Sequence, residues 1–363
     1  MSAQDVPDIA RLFRETFLPP TARDVPQQAL ESMLARLFVA PLADDPEIAS
    51  LVHRDAQGRL DGFVGVMATP FEIEGRPCRA AYSGTLMVRA QDRDPMAGAR
   101  LLRGFLSGPQ DVSLSETANP ISEGLWKRLR GTVLTSYSLE WLRVFRPLAF
   151  LAAGVEHAGG PARRALPLVR PLARPLDALA ARLAPALSRV ADTACGEEEI
   201  ADDATFAALL ERFTEPYAAR PAWARVDLAA RIAASRRKAR YGAMVRRLVL
   251  RGTVPIGLYL YHARPGGIGH VLQIVAAPGR AGDVVDRMFA SARAEGLAAL
   301  RGRTQPDSLD AMLTRGCVFA HRASTCVQTR DPALLAPFAS GRAFVTGLAG
   351  ETWSPLVGDD FGS

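Results

Sequence analysis

The stretch VRAQDRDPMAG, Val88 to Gly98, decides how this chain is read. It joins an apolar run, AYSGTLMV (81–88), to an amphipathic one, ARLLRGFL (99–106). A junction of this kind is either an ordinary strand-to-helix connection or a turn shaped for an anion. A helix N-terminus presents unpaired backbone N–H groups and the positive end of its dipole, so both readings have a physical basis. Asp94-Pro95 favours the ordinary one, because aspartate is a preferred N-cap and proline a preferred first helical residue. This predicts a helix over 95–106 opened by Asp94. Proline also removes one donor from an anion nest, while Arg89, Arg93, Arg100 and Arg103 supply charge that would offset the aspartate.

Working outward, residues 8–17 place Ile9, Leu12, Phe13 and Phe17 at helical spacing, and residues 27–38 repeat this with Leu30, Met33, Leu34 and Leu37. Three extended segments follow, separated by DAQG and by a reversal at Glu74–Pro77. After the quoted stretch come a helix, the strand DVSLSE, a helix opened by Asn119-Pro120 and the strand VLTSYSLEWL. From about Ala201 the same order of two helices, meander, helix, strand, helix, strand returns. The architecture is therefore expected to be duplicated, with domains at 1–145 and 200–330. A linker would cover 146–199 and a C-terminal extension 331–363.

The chain has 363 residues, enough for two cores, and 48% hydrophobic with 23% charged residues describes a globular protein. Lys127 and Lys238 are the only lysines among 44 basic residues, a skew that matches a GC-rich coding bias. The net charge of +6 is accordingly not read as a nucleic-acid footprint. Four scattered cysteines form no metal-ligand or disulfide pattern, so no metal is expected. The N-terminus lacks a signal-peptide pattern, and PLAFLAAGV is too short to span a bilayer. A bacterial-type cytoplasm is the expected location. The segment PARRALPLVRPLARPLDALAARLAPALSRV carries six arginines and five prolines. It reads as a helical linker, or alternatively as a basic surface for peripheral contact with anionic lipid or an acidic partner.

The order of elements resembles the GCN5-related N-acetyltransferase (GNAT) fold, present twice. This gives an α/β class, more exactly an α+β mixed sheet, in two tandem GNAT-like domains, each a mostly antiparallel sheet flanked by helices. The family's pattern V-x-x-x-x-[RQ]-x-x-G-x-[GA] falls on Val88, Arg93 and Gly98, with Met96 in place of the first glycine. The resemblance implies that the backbone of Leu86, Met87 and Val88 pairs with the pantetheine of an acyl-CoA. It also implies that Arg93, Met96, Ala97, Gly98 and Ala99 form the pyrophosphate turn. Asn119 matches an asparagine that often contacts the cofactor, and Trp126 stands where many members carry a proton-donating tyrosine, a role tryptophan cannot fill.

Tyr137 is the candidate replacement acid and Glu116, at the end of a strand, the candidate base. Glu116 also has a bland reading, as a surface or capping carboxylate. In the second half Arg280 and Gly282 echo the turn weakly, and His262 and His270 fit core or surface roles better than catalysis. GETWSPLVGDDF (350–361), acidic and aromatic with two reversals, either folds over a cleft or covers a domain edge. The expected function is transfer of an acyl group, acetyl or another, from CoA to an unidentified amine by direct attack on the thioester. The alternative is a non-catalytic binding or scaffold protein that keeps the fold.

Overall fold

The computed structural model describes residues 1–18, 25–40, 45–89, 94–158 and 197–359, without the side chains of 156–158. The first half runs α1 (Val6–Phe17), α2 (Gln27–Phe38), β1 (Leu51–Arg54), β2 (Leu60–Ile73), β3 (Arg76–Val88), α3 (Ala97–Leu106), β4 (Val112–Ala118), α4 (Pro120–Arg128), β5 (Thr132–Val133), β6 (Leu139–Val144) and α5 (Pro147–Ala158). The second runs β7 (Glu197–Ile200), α6 (Asp203–Thr214), β8 (Ala219–Pro221), α7 (Leu228–Ser235), β9 (Ala243–Arg251), β10 (Val254–Ala263), β11 (Ile268–Ala276), α8 (Ala281–Ala294), β12 (Ala299–Arg303), α9 (Leu309–Thr314), β13 (Val318–His321), β14 (Ser324–Thr329) and α10 (Ala336–Ala339). The arginine-rich stretch of the linker lies outside the described residues.

The chain divides into two compact units that are interleaved in sequence. One gathers described residues of 1–138, 217–240 and 322–363, and the other those of 139–216 and 241–321. The first sheet has the order β1-β2-β3-β4-β14-β5 with β8 added to β2, and the second has β13-β6-β12-β11-β10-β9-β7. Strand β6 of the first half is thus built into the second sheet, and β14 of the second half into the first. Consecutive boundaries at 145 and 200 do not describe this arrangement. An edge strand's free N–H and C=O groups are satisfied equally well by a strand from any part of the chain.

Within the first unit, α1 buries Ile9, Leu12 and Phe13 while Phe17 is exposed. Strands β2 and β3 are joined by Glu74 and Gly75, both at positive φ (49° and 77°), between paired Ile73 and Arg76. That is the backbone a two-residue hairpin demands. Helices α3 and α4 cover one face through Leu101, Leu102, Phe105 and Trp126, packed on Val64, Val66 and Ala81. In the second unit Trp141 of β6 packs with Tyr259, Tyr261, Met288 and Phe289.

Candidate functional site

In the first unit, β3 and β4 run parallel and pair through Ala80↔Val112, Ala81↔Ser113 and Tyr82↔Leu114. Beyond those residues β3 continues to Val88 and β4 to Ala118 without mutual pairing. The two strands therefore splay. On its other side β3 remains paired to β2 but shifts register between Phe63↔Met87 and Gly65↔Gly84. Thr85 lies in this irregularity at φ 52°, an outlying angle for a β-branched residue, with its buried hydroxyl unpartnered among the described residues. Leu86 and Val88 are half-buried against the α3–α4 face, and Met87 is buried.

The start of α3 differs from expectation. The helix begins at Ala97 with exposed Met96 in the capping position, two residues later than predicted. Asp94 instead closes a turn, accepting from Met96 N at 3.2 Å through its side chain and from Ala97 N at 3.2 Å through its carbonyl. Its carboxylate is ion-paired with Arg100, which holds it below the usual aspartate range. The Asp94 side chain leaves the Gly98 and Ala99 amides uncapped. Arg89 pairs with Glu15. Arg93 lies outside the described residues. Gly98 is not required by packing, since a Cβ there would sit 3.6 Å from Leu125 Cδ1 and 3.7 Å from Val88 Cγ2.

Farther along, Asn119 caps α4 by accepting from Ser122 N at 2.9 Å. Trp126 is fully buried in the α3–α4 core, its indole N–H unpartnered among the described residues.

The candidate acid and base are both engaged by the C-terminal segment. Glu116 is fully buried, and its carboxylate accepts from Gly347 N (3.0 Å), Glu351 N (2.8 Å), Thr352 N (2.9 Å) and Thr352 Oγ1 (2.9 Å). Tyr137, also fully buried, donates its hydroxyl to Ala343 O at 2.9 Å and accepts from Ala343 N at 3.0 Å. Both bonding patterns are those of structural anchors. Gly350 has to be glycine, because a Cβ would meet Glu116 Oε2 at 2.2 Å.

Sequence reasoning missed the other anchors. Tyr82 donates to Val345 O, and buried Arg231 donates to Leu348 O and to Thr69 Oγ1 at 2.8 Å each while stacking on Trp353. Lys238 donates to Ser354 O and Val357 O. Burial pushes the Arg231 guanidinium down to about 10 and the Lys238 ammonium down to about 7. Glu351, 3% exposed, accepts through Oε1 from Glu116 N (3.0 Å), Thr117 N (2.7 Å) and Thr117 Oγ1 (2.7 Å). Burial, then the neighbouring Glu116 charge, pushes its carboxyl up to about 7. One available signal was Lys238 itself, a rare lysine in an arginine-rich chain.

In the second unit β11 and β12 pair in parallel from Ile268↔Ala299 to Val271↔Gly302, and β12 ends one residue later at Arg303. The turn after β11 is covered. Arg315 makes a two-pronged ion pair with Asp286 and packs so closely on Gly282 that a Cβ there would lie 2.8 Å from Nη2. Arg280 pairs with Asp283. His262 is buried, and the His270 ring stacks on Tyr241 at 3.8 Å. Among the described residues no cluster of three or more His, Cys, Asp or Glu is placed to hold a metal, and no helix is long and apolar enough to cross a membrane.

No protein-family model and no curated protein matches the sequence. Solved structures do resemble the fold. A conserved protein of unknown function and probable N-acyltransferase from Enterococcus faecalis V583 aligns with a TM-score of 0.55 at 9% identity, over 92% of this chain and 73% of that one. A GCN5-related N-acetyltransferase from Anabaena variabilis ATCC 29413 aligns with a TM-score of 0.57 at 10% identity, over 91% and 72%. Another from Kribbella flavida aligns with a TM-score of 0.50 at 12% identity, over 92% and 71%. At such identities the likeness concerns the fold: two mixed sheets flanked by helices in a tandem GNAT-like arrangement.

Proposed function

We propose, for a chain that carries the GNAT fold twice, that the first unit binds an acyl-CoA, acetyl-CoA or a longer one, and transfers its acyl group to an amine. The observation that carries this reading is the parting of β3 from β4 beyond Tyr82 and Leu114, with α3 the next helix after β3 in the chain. Parted strands leave backbone donors and acceptors that a pantetheine chain can pair with, and a helix start offers amides to phosphate. The residues fit such a co-substrate. Leu86, Met87 and Val88 would hold its pantetheine and Met96, Ala97, Gly98 and Ala99 its phosphates, with Arg93 and Asn119 as further contacts. The co-substrate would supply a thioester whose acyl carbon is open to attack. Proximity and orientation then provide most of the acceleration.

A second reading, a GNAT-fold protein without catalysis, draws support from the Glu116 and Tyr137 bonds to the C-terminal segment and from Trp126 at the family's tyrosine position. Thermal unfolding with acetyl-CoA separates the two. At a hundred times its dissociation constant the ligand adds about 2.7 kcal/mol to stability. An unchanged transition at millimolar acetyl-CoA and longer acyl-CoAs would remove the enzyme reading.

Gly98→Ala sharpens the test. It is expected to leave the unliganded unfolding midpoint unchanged or slightly raised, since alanine gains up to about 1 kcal/mol of helix propensity over glycine. The stabilisation by acetyl-CoA should shrink, because a glycine lets a phosphate approach the backbone more closely than an alanine does. Full stabilisation in the variant would place the phosphate elsewhere.

A further inference from the structure

Resting on the acyltransferase reading, we infer that the C-terminal segment supplies the group that takes the proton from an incoming cationic amine, and that this group is Glu351. The carboxylate of Glu351 lies where the two central strands have parted. Its Oε1 is held on the β4 side by the amides of Glu116 and Thr117 and the Thr117 hydroxyl. Its Oε2 lies against β3, where a Cβ on Gly84 would come within 3.0 Å of it. Among the described residues Oε2 has no hydrogen-bond partner, although the side chain is only 3% exposed. One oxygen is fixed, and the other packs against Gly84 of β3 without a hydrogen bond among the described residues. Glu116, in contrast, accepts through both oxygens.

This geometry suits a proton acceptor. The three donors on Oε1 orient the group without occupying Oε2, and a buried carboxylate favours a ligand that brings a positive charge. The charged and titratable groups that interact with it are Tyr82 from β3 and Glu116 from β4; Arg231 of α7 in turn interacts with Tyr82, and Lys238, just beyond α7, with Glu116. A carboxyl raised to about 7 is matched to proton transfer near neutral pH. In the step, an ammonium gives one proton to Glu351 Oε2, and the freed nitrogen lone pair forms a C–N bond to the thioester carbon. The C–S bond breaks, the thiolate leaves with its electron pair and takes the second nitrogen proton. Glu351 returns its proton to solvent.

The test measures thiol release from acetyl-CoA with propylamine as the acceptor probe, as a function of pH, in wild type and Glu351→Gln. Binding is read separately from the acetyl-CoA shift in unfolding temperature. The expected result is a loss of about a hundredfold or more in kcat with an unchanged KM for acetyl-CoA. The acidic limb near pH 7 should disappear as well. If the glutamine variant does not fold, Thr117→Val serves instead: removing a donor to the anion raises its pKa and moves the acidic limb upward. Binding with an unmoved limb and full rate overturns the assignment alone, as does a wild type that binds acetyl-CoA and transfers nothing to propylamine. Absence of acetyl-CoA binding overturns the acyltransferase reading and the assignment together.

Discussion

Glu116→Ala is expected to lower the unfolding free energy of the first unit by about 4 kcal/mol or more, near the top of the range for single substitutions. Four donors converge on this carboxylate: the amides of Gly347, Glu351 and Thr352, and the Thr352 hydroxyl. Hydrogen bonds to charged groups contribute roughly 1.5–3 kcal/mol each, and a buried donor left without a partner costs about 1–3 kcal/mol. These effects do not add fully, since the segment will relax, but even half of their sum is a large share of a domain's stability. Glu116→Gln should lose roughly half as much, because the amide keeps one accepting oxygen and turns two N–H groups toward existing donors. Urea unfolding, followed by the fluorescence of buried Trp353, measures both. A loss below about 1 kcal/mol for the alanine variant would show that the segment is not anchored through Glu116.

The second large effect is on pH. The contributions of Glu351 and Lys238 make the first unit least stable near pH 7. Glu351 is raised from 4.5 to about 7, so the folded state binds more protons than the unfolded one between those values. Its stabilisation is complete below 4.5 and is lost as pH rises to 7, by roughly 3 kcal/mol. Lys238 is lowered from 10.5 to about 7, so the unfolded state binds more protons between 7 and 10.5. Stability is therefore recovered as pH rises through that window, by roughly 5 kcal/mol. Glu116 and Asp359 favour the charged lysine and burial outweighs them. Urea midpoints at pH 5, 7 and 9 should trace a minimum, with Lys238→Met abolishing the alkaline rise and Glu351→Gln the fall on the acid side. A monotonic profile in the wild type would refute the assignment of either group as a buried titrating anchor.

Much of the architecture was legible in the residues themselves. The apolar spacing of Ile9, Leu12 and Phe13 marks α1 because a helix repeats every 3.6 residues. The Glu74-Gly75 turn marks the hairpin because few residues accept positive φ. The recurrence of element order gave the duplication. The exchange of β6 and β14 was not legible, since the alternation of a strand records which face is buried and not whose sheet it joins. Likewise Glu116 could be placed at a strand end from its neighbours. Its partners, some 230 residues further on, could be found only by folding the chain. Thr85 gave no sign of its left-handed backbone, because threonine is an unlikely residue for that conformation. The tail's two readings, cover for a cleft or for an edge, depended on where Glu351 comes to rest.

The exchanged strands also set a schedule for synthesis. The first sheet has β4 in place from residue 118, but its neighbour β14 begins at Ser324, and the anchors of Glu116 follow at Gly347 to Thr352. At roughly 5–20 residues per second the ribosome needs on the order of ten to forty seconds to cover that interval. During it the nascent sheet has an unpaired edge beside the Glu116 carboxylate, which still lacks its donors and its cover. A fragment ending near residue 145 would remain in that state permanently. The hazard of aggregation for this protein is therefore concentrated in translation, and stop codons or ribosome stalls anywhere before the last few dozen residues should yield insoluble product.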